Sequence, residues 1–155
     1  MKKLLNNKKG FTLIELLAVI VILAILVMVA IPAVTKYLNS ARQGTFADNA
    51  KSAISAVRND VIIKGNQNDT YTLEEINGLL EKKLNTSPWG KAYDGTSCVK
   101  VTTTSDTTIY SMCLIDADGH GWATALEENE ITDKSASITG VKDTSGNTIK
   151  TCSCS

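Results

Sequence analysis

The sequence predicts an α+β fold, with one long N-terminal helix whose outer half packs on a small antiparallel sheet. Three observations carry that prediction: an uninterrupted apolar run over residues 16–31, an apolar stripe at helical spacing over 46–61, and alternating strand-like runs over 97–126. The expected organisation is a leader over 1–10, a membrane-spanning helix over 11–34, its amphipathic continuation over 35–64, and a globular head over 65–155.

Residues 11–34 make 24 positions, roughly 36 Å of helix, against a bilayer hydrocarbon core about 30 Å thick. The segment is therefore long enough to span. Lys2, Lys3, Lys8 and Lys9 precede it and few charges follow it directly, which predicts an N-terminus in the cytoplasm and a head outside. A secretory signal peptide would have a shorter apolar region and a small-residue cleavage site behind it. Here the helical pattern runs on through Val34, Leu38 and Ala41, so the segment reads as retained. Glu15 is what a plain anchor does not explain, because a carboxylate in the bilayer costs about 2.5–3.5 kcal/mol on insertion scales. Either it snorkels to the cytoplasmic interface, or it waits for a cation. A free α-amino group at Phe11 of a neighbouring subunit would be such a cation, replacing a buried charge by a neutral pair.

The stretch KKGFTLIELLAVIVILAIL resembles the class III signal of type IV pilins and type II secretion pseudopilins. Gly10, Phe11, Thr12, Leu13, Ile14, Glu15 and Leu16 all match, and Pro32 matches the proline that commonly bends or loosens the helix in that family. The resemblance covers roughly the first quarter of the chain. It implies a pilin-like fold, cleavage after Gly10 by a prepilin peptidase, methylation of the new amine at Phe11, and guidance of assembly by Glu15. Ala24 departs from the pattern, since many pilins have glycine there. A second stretch, Ser87-Pro88-Trp89-Gly90 followed by Tyr93, resembles the Asp-Pro-Trp-Gly motif of major pseudopilins, with Ser87 in place of the aspartate. Physically, Pro88 and Gly90 set a turn and Trp89 packs under the loop.

Beyond Pro32, Phe46, Ala50, Ile54, Val57 and Val61 form one apolar helical face, with Asp48, Lys51, Asn59 and Asp60 elsewhere on the wheel. Gly44 costs about 1 kcal/mol relative to Ala in a helix and is the expected place for a bend. The helix should end near Lys64-Gly65, where glycine supplies a left-handed cap, and residues 65–70 read as loop. A short helix is expected over 73–84, opened by a Thr72…Glu75 capping box, with Ile76, Leu79 and Leu80 on its apolar side. Val99 and Val101 alternate with Cys98 and Lys100, and Tyr110, Met112 and Leu114 alternate with Ser111 and Cys113. Folding the two runs about Ser105-Asp106 sets Val99 against Met112, Val101 against Tyr110 and Cys98 against Cys113. Asp118-Gly119 gives a second turn, and residues 121–126 return as a third strand.

Four cysteines, Cys98, Cys113, Cys152 and Cys154, all follow the apolar segment, and an even number in an exported domain favours disulfides. Two arrangements compete: a cross-strand Cys98–Cys113 bond with a tail pair, or two tail thiols reaching Cys98 and Cys113. Zinc is disfavoured by the spacing. Asp116, Asp118 and Glu127 fall at the first, third and twelfth offsets of a calcium loop, with Gly121 at the sixth. The plainer alternative is an Asp-Gly hairpin turn. Apart from calcium, no cofactor is expected. His120, the one histidine, lies in a Gly-flanked turn and reads as a surface residue. No catalytic constellation, P-loop or dinucleotide fingerprint stands out. Without the leader, twelve basic residues face sixteen acidic ones, which argues against a nucleic-acid-binding surface.

The expected function is structural. The resemblance implies a subunit that self-assembles into a filament after leaving the membrane, served by a prepilin peptidase, a platform membrane protein and a separate assembly ATPase. The filament would act in adhesion or motility, in protein secretion, or in DNA uptake, the last being the one use with a nucleic-acid partner. The alternative is a single-pass membrane protein displaying a small binding domain.

Overall fold

Helix α1 (Leu13–Lys64) runs for 52 residues and carries Pro32 inside it. The computed structural model describes residues 10–65 and 69–154. Most of the expected leader and part of the expected loop over 65–70 lie outside the described residues. The chain divides into two compact units after Leu38.

In the first unit, α1 has no protein around it. Each large apolar side chain of the 16–31 run is at least 50% exposed, and this is a helix long and apolar enough to cross a membrane. Apolar surface on that scale must be covered by lipid or protein. Proline removes one N–H from the helical ladder, yet the helix continues through Pro32, with Thr35 Oγ1 donating to the Ile31 carbonyl at 2.9 Å.

In the second unit, the expected stripe of Phe46, Ala50, Ile54, Val57 and Val61 is buried, joined by Ala47 and Ala53. Asp60 departs from expectation. It is 8% exposed rather than solvated, because Tyr71 Oη donates to it at 3.0 Å and Lys64 Nζ lies 2.9 Å away. The Lys64 ammonium, aided by the Tyr71 hydroxyl, holds the Asp60 carboxyl below the usual carboxylate range. The helix stops where the sequence places its cap. Gly65 sits at φ 67° and its N–H donates to the Val61 carbonyl at 2.8 Å.

Strands β1 (Thr70–Thr72), β2 (Cys98–Thr103), β3 (Thr108–Ile115) and β4 (Gly121–Glu127) form one antiparallel sheet in sequential order. The β2–β3 register is the expected one: Val99 opposite Met112, Val101 opposite Tyr110, Cys98 opposite Cys113. β1 overlaps the expected loop only at Thr70 and has no counterpart in the sequence pattern, since three residues are too short for an alternation signal. Helix α2 (Leu73–Leu79) is shorter than the expected 73–84. Asn77-Gly78 is a weak helical pair, and the Asn77 side chain instead receives the Leu84 N–H at 2.6 Å, turning the chain so that Leu84 is buried. The Thr72…Glu75 capping box is present as expected. Thr72→Ala should lower stability by about 1 kcal/mol, read from the urea midpoint of the full chain in detergent.

Phe46 organises the core. Trp89, Tyr93 and Trp122 surround its ring at centroid distances of 5.6, 5.5 and 5.3 Å, in the tilted and edge-on arrangements aromatic quadrupoles favour. Trp122 Nε1 is satisfied by the Met112 carbonyl at 2.6 Å. Residues past the short 3-10 turn at Glu128–Glu130 form turns and isolated bridges, among them Gly121 with Ser137 and Thr124 with Ser153.

Candidate functional site

The candidate site begins where α1 begins. Gly10, Phe11 and Thr12 precede the helix and are exposed, Phe11 at 91%. Thr12 caps the first turn: its hydroxyl oxygen accepts the Glu15 N–H at 3.3 Å. In return, Thr12 N–H and Oγ1 both donate to Glu15 Oε2 at 2.8 Å. This is a capping box, and a carboxylate in the first turn also complements the helix dipole. Both donors use the same oxygen, so Thr12 does not engage Oε1. The sequence leaves Glu15 either snorkelling to the interface or waiting for a cation; the structure adds a third, local role as a cap. The signal was present, for Thr12-x-x-Glu15 has the same form as Thr72-x-x-Glu75.

In the head, Ser87 N–H donates to the Lys91 carbonyl at 2.7 Å and Gly90 N–H to the Ser87 carbonyl at 2.8 Å. This turn brings Trp89 against Phe46 on one side and stacks it on His120 on the other, at 4.7 Å and an interplanar angle of 5°. His120 is therefore not the surface residue expected. Its side chain is 16% exposed, and Nδ1 lies 3.0 Å from Asp116 Oδ2. Ser87 is tied to the acidic turn. Its hydroxyl donates at 2.6 Å to the fully buried Asp116, and a second carboxylate there would face the first. Tyr93 is pushed up to about 12 by burial, against a hydrogen bond from Asn49.

The three acidic residues of the calcium offsets are not brought together. Among the described residues, no group of three or more His, Cys, Asp or Glu is disposed to hold a metal. Asp116 Oδ1 receives the Asp118 and His120 N–H groups at 3.0 and 2.9 Å. Asp118 pairs with Lys91 at 3.0 Å. Glu127 is exposed at the end of β4. The loop is a turn organised around one carboxyl. Lys91 holds the Asp118 carboxyl below its usual range. The small stabilisation from that pair is thus present above the ordinary Asp value of about 3.9 and is lost as pH falls through the lower folded value.

The cysteines resolve as Cys98–Cys154 and Cys113–Cys152, with Cα separations of 6.4 and 5.7 Å. Of the two arrangements weighed from sequence, this is the one in which the tail is stapled to the sheet. Ser153 N–H donates to the Ala123 carbonyl at 3.0 Å and Cys152 N–H to Thr96 Oγ1 at 2.7 Å.

Comparison with known proteins bears on the N-terminal segment. Residues 5–31 match the family model of the prokaryotic N-terminal methylation motif, so the resemblance read from the signal residues is borne out over that stretch. A fimbrial protein from Moraxella nonliquefaciens is 46% identical over 57 residues, which is 35% of this chain and 37% of that protein. The chain thus covers little more than a third of the length of the curated relative it matches. No solved structure matches.

Proposed function

We propose that the chain is the structural subunit of a type IV pilus or pseudopilus. A prepilin peptidase cleaves it after Gly10, the new amine at Phe11 is methylated, and the processed subunit polymerises through α1. The observation that carries this reading is Glu15: a carboxylate in the first turn of an exposed apolar helix, four residues from the amine that cleavage would free. The methylation motif over residues 5–31 and the fimbrial relative support it. Before assembly the first unit sits in the cytoplasmic membrane, N-terminus inside and head outside. Afterwards the same apolar surface is covered by the helices of other copies. Pro32 lets α1 adapt to that packing, since proline weakens the ladder around it. A platform membrane protein and an assembly ATPase act on the chain from outside its own sequence. Adhesion or motility, protein secretion and DNA uptake are the uses open to such a filament.

Intact mass of the membrane-derived protein tests the proposal. The expected mass begins at Phe11 and carries one added methyl group. A mass retaining the leader would return the chain to the rival reading, an anchor that displays a small domain and never assembles.

A further inference from the structure

The four sulfurs lie in one place. Cys98 and Cys113 are register partners on β2 and β3, while Cys152 and Cys154 flank a single residue of the tail. Cys113 Sγ and Cys152 Sγ approach the same Trp122 carbonyl oxygen, at 3.2 and 3.9 Å. Access is unequal. Cys98 and Cys113 are buried, at 7% and 0% exposure, whereas both tail cysteines are only partly buried.

We propose that the Cys152-Ser153-Cys154 tail is a thiol–disulfide exchange site for a dithiol reductant, and that one dithiol equivalent releases the whole tail. A thiolate of the dithiol attacks the accessible Cys154 Sγ. The Cys98–Cys154 bond breaks, a mixed disulfide forms, and Cys98 leaves as thiolate. Directly opposing residues on antiparallel strands have Cβ atoms about 4.5–5.5 Å apart, close to the roughly 3.5–4.5 Å a disulfide needs. The Cys98 thiolate therefore has two electrophiles at hand: Cys154 Sγ, whose attack merely reverses the first step, and its cross-strand partner Cys113 Sγ. Attack on Cys113 Sγ forms Cys98–Cys113 and expels Cys152 as thiolate. The second sulfur of the dithiol resolves the mixed disulfide, releasing Cys154. The dithiol leaves oxidised, the chain gains two electrons and two protons, and its two disulfides become one disulfide and two tail thiols. Entry at Cys152 gives the same product by the mirror sequence, with Cys113 leaving and attacking Cys98. Exchange of this kind is governed by thiolate access and by which sulfur is attacked, and both favour entry at the tail and closure on the sheet. The sheet keeps a covalent link across β2 and β3 while the tail loses both of its own.

The experiment treats the full oxidised chain in detergent with one molar equivalent of dithiothreitol, traps thiols with an alkylating agent, and maps disulfides by peptide mass. The expected dominant product carries Cys98–Cys113 with alkylated Cys152 and Cys154, and the two native bonds disappear together. Hydrogen exchange at Cys152 and Ser153 should rise at the same dose. A dominant product that keeps Cys113–Cys152 with Cys98 and Cys154 alkylated, or Cys98–Cys154 with Cys113 and Cys152 alkylated, would overturn the relay. Unchanged exchange at the tail amides would overturn the release.

Discussion

Glu15→Ala is expected to leave the chain inserted and cleaved but to stop it polymerising. In the filament proposed above, each freed Phe11 amine enters an apolar helix core. Removing one partner of a buried ion pair costs about 3–5 kcal/mol, because the other charge stays behind uncompensated. At about 1.4 kcal/mol per factor of ten, subunit addition weakens by roughly a hundredfold or more. Filament yield by electron microscopy measures this, with intact mass of the unassembled protein as the check on processing. The capping geometry adds a control. Glu15 Oε2 receives both the N–H and the hydroxyl of Thr12, so alanine removes a cap as well as a charge. Glutamine separates the two roles. Its amide oxygen still caps Thr12, an interaction of about 1 kcal/mol, but it carries no charge. Glu15→Gln should therefore lose filaments almost as completely as Glu15→Ala. Normal filaments from the glutamine variant would leave helix capping as the residue's role and remove the charge-pairing account.

What the sequence disclosed follows the range over which each signal acts. Period-2 alternation fixed the β2–β3 register to the residue, because a one-place slip would turn Val99 and Met112 out of the core. Helical spacing gave the buried face of α1, and Gly65 gave its end. Signals failed where a side chain was claimed by a partner distant in sequence. Asp60 looked solvated until Tyr71 and Lys64 were placed around it. His120 looked exposed because nothing local announces the Trp89 ring that covers it. Helix α2 ended early because Asn77 spends its side chain on Leu84. The acidic positions around Asp116 were legible, but nothing local announced that its carboxyl accepts from Ser87, Asp118 and His120. Along the N-terminal segment the opposite held. The hydropathy signal is written in consecutive residues, so a helix long and apolar enough to cross a membrane was legible directly. Only the capping role of Thr12 went unread.

Asp116→Ala is the head substitution with the largest expected effect. The carboxyl is fully buried, and it gathers Ser87 Oγ at 2.6 Å, the Asp118 and His120 N–H groups at 3.0 and 2.9 Å, and His120 Nδ1 at 3.0 Å. Alanine leaves these groups without their partner; only the Ser87 bond is fully buried, costing about 1–3 kcal/mol when unmet, while the three partly buried bonds cost less each because water reaches them. A total loss of about 3–5 kcal/mol follows, a large share of the roughly 5–15 kcal/mol that holds a domain together. Urea unfolding of the full chain in detergent, followed by tryptophan fluorescence, reads it directly, because Trp89 stacks on His120 and Trp122 lies in the core. Asp116→Asn should cost less. One amide oxygen can still accept the two backbone N–H groups, while its NH2 can only donate, so the Ser87 hydroxyl loses its present acceptor and must turn to accept, and His120 Nδ1 pairs with it only as the tautomer protonated at Nε2. The order Ala, then Asn, then wild type is the signature expected of a turn clamp. Ser87, Asp116 and His120 include the residue types of a hydrolytic triad, but the arrangement differs from one. In a triad the imidazole receives the serine proton and the acid lies behind the imidazole. Here the acid stands in the middle and takes the serine's hydrogen bond itself. Substitutions along this row should therefore move the unfolding midpoint in proportion to the hydrogen bonds they remove. An Asp116→Ala variant that unfolds at the wild-type urea concentration would show that water or backbone satisfies these donors instead.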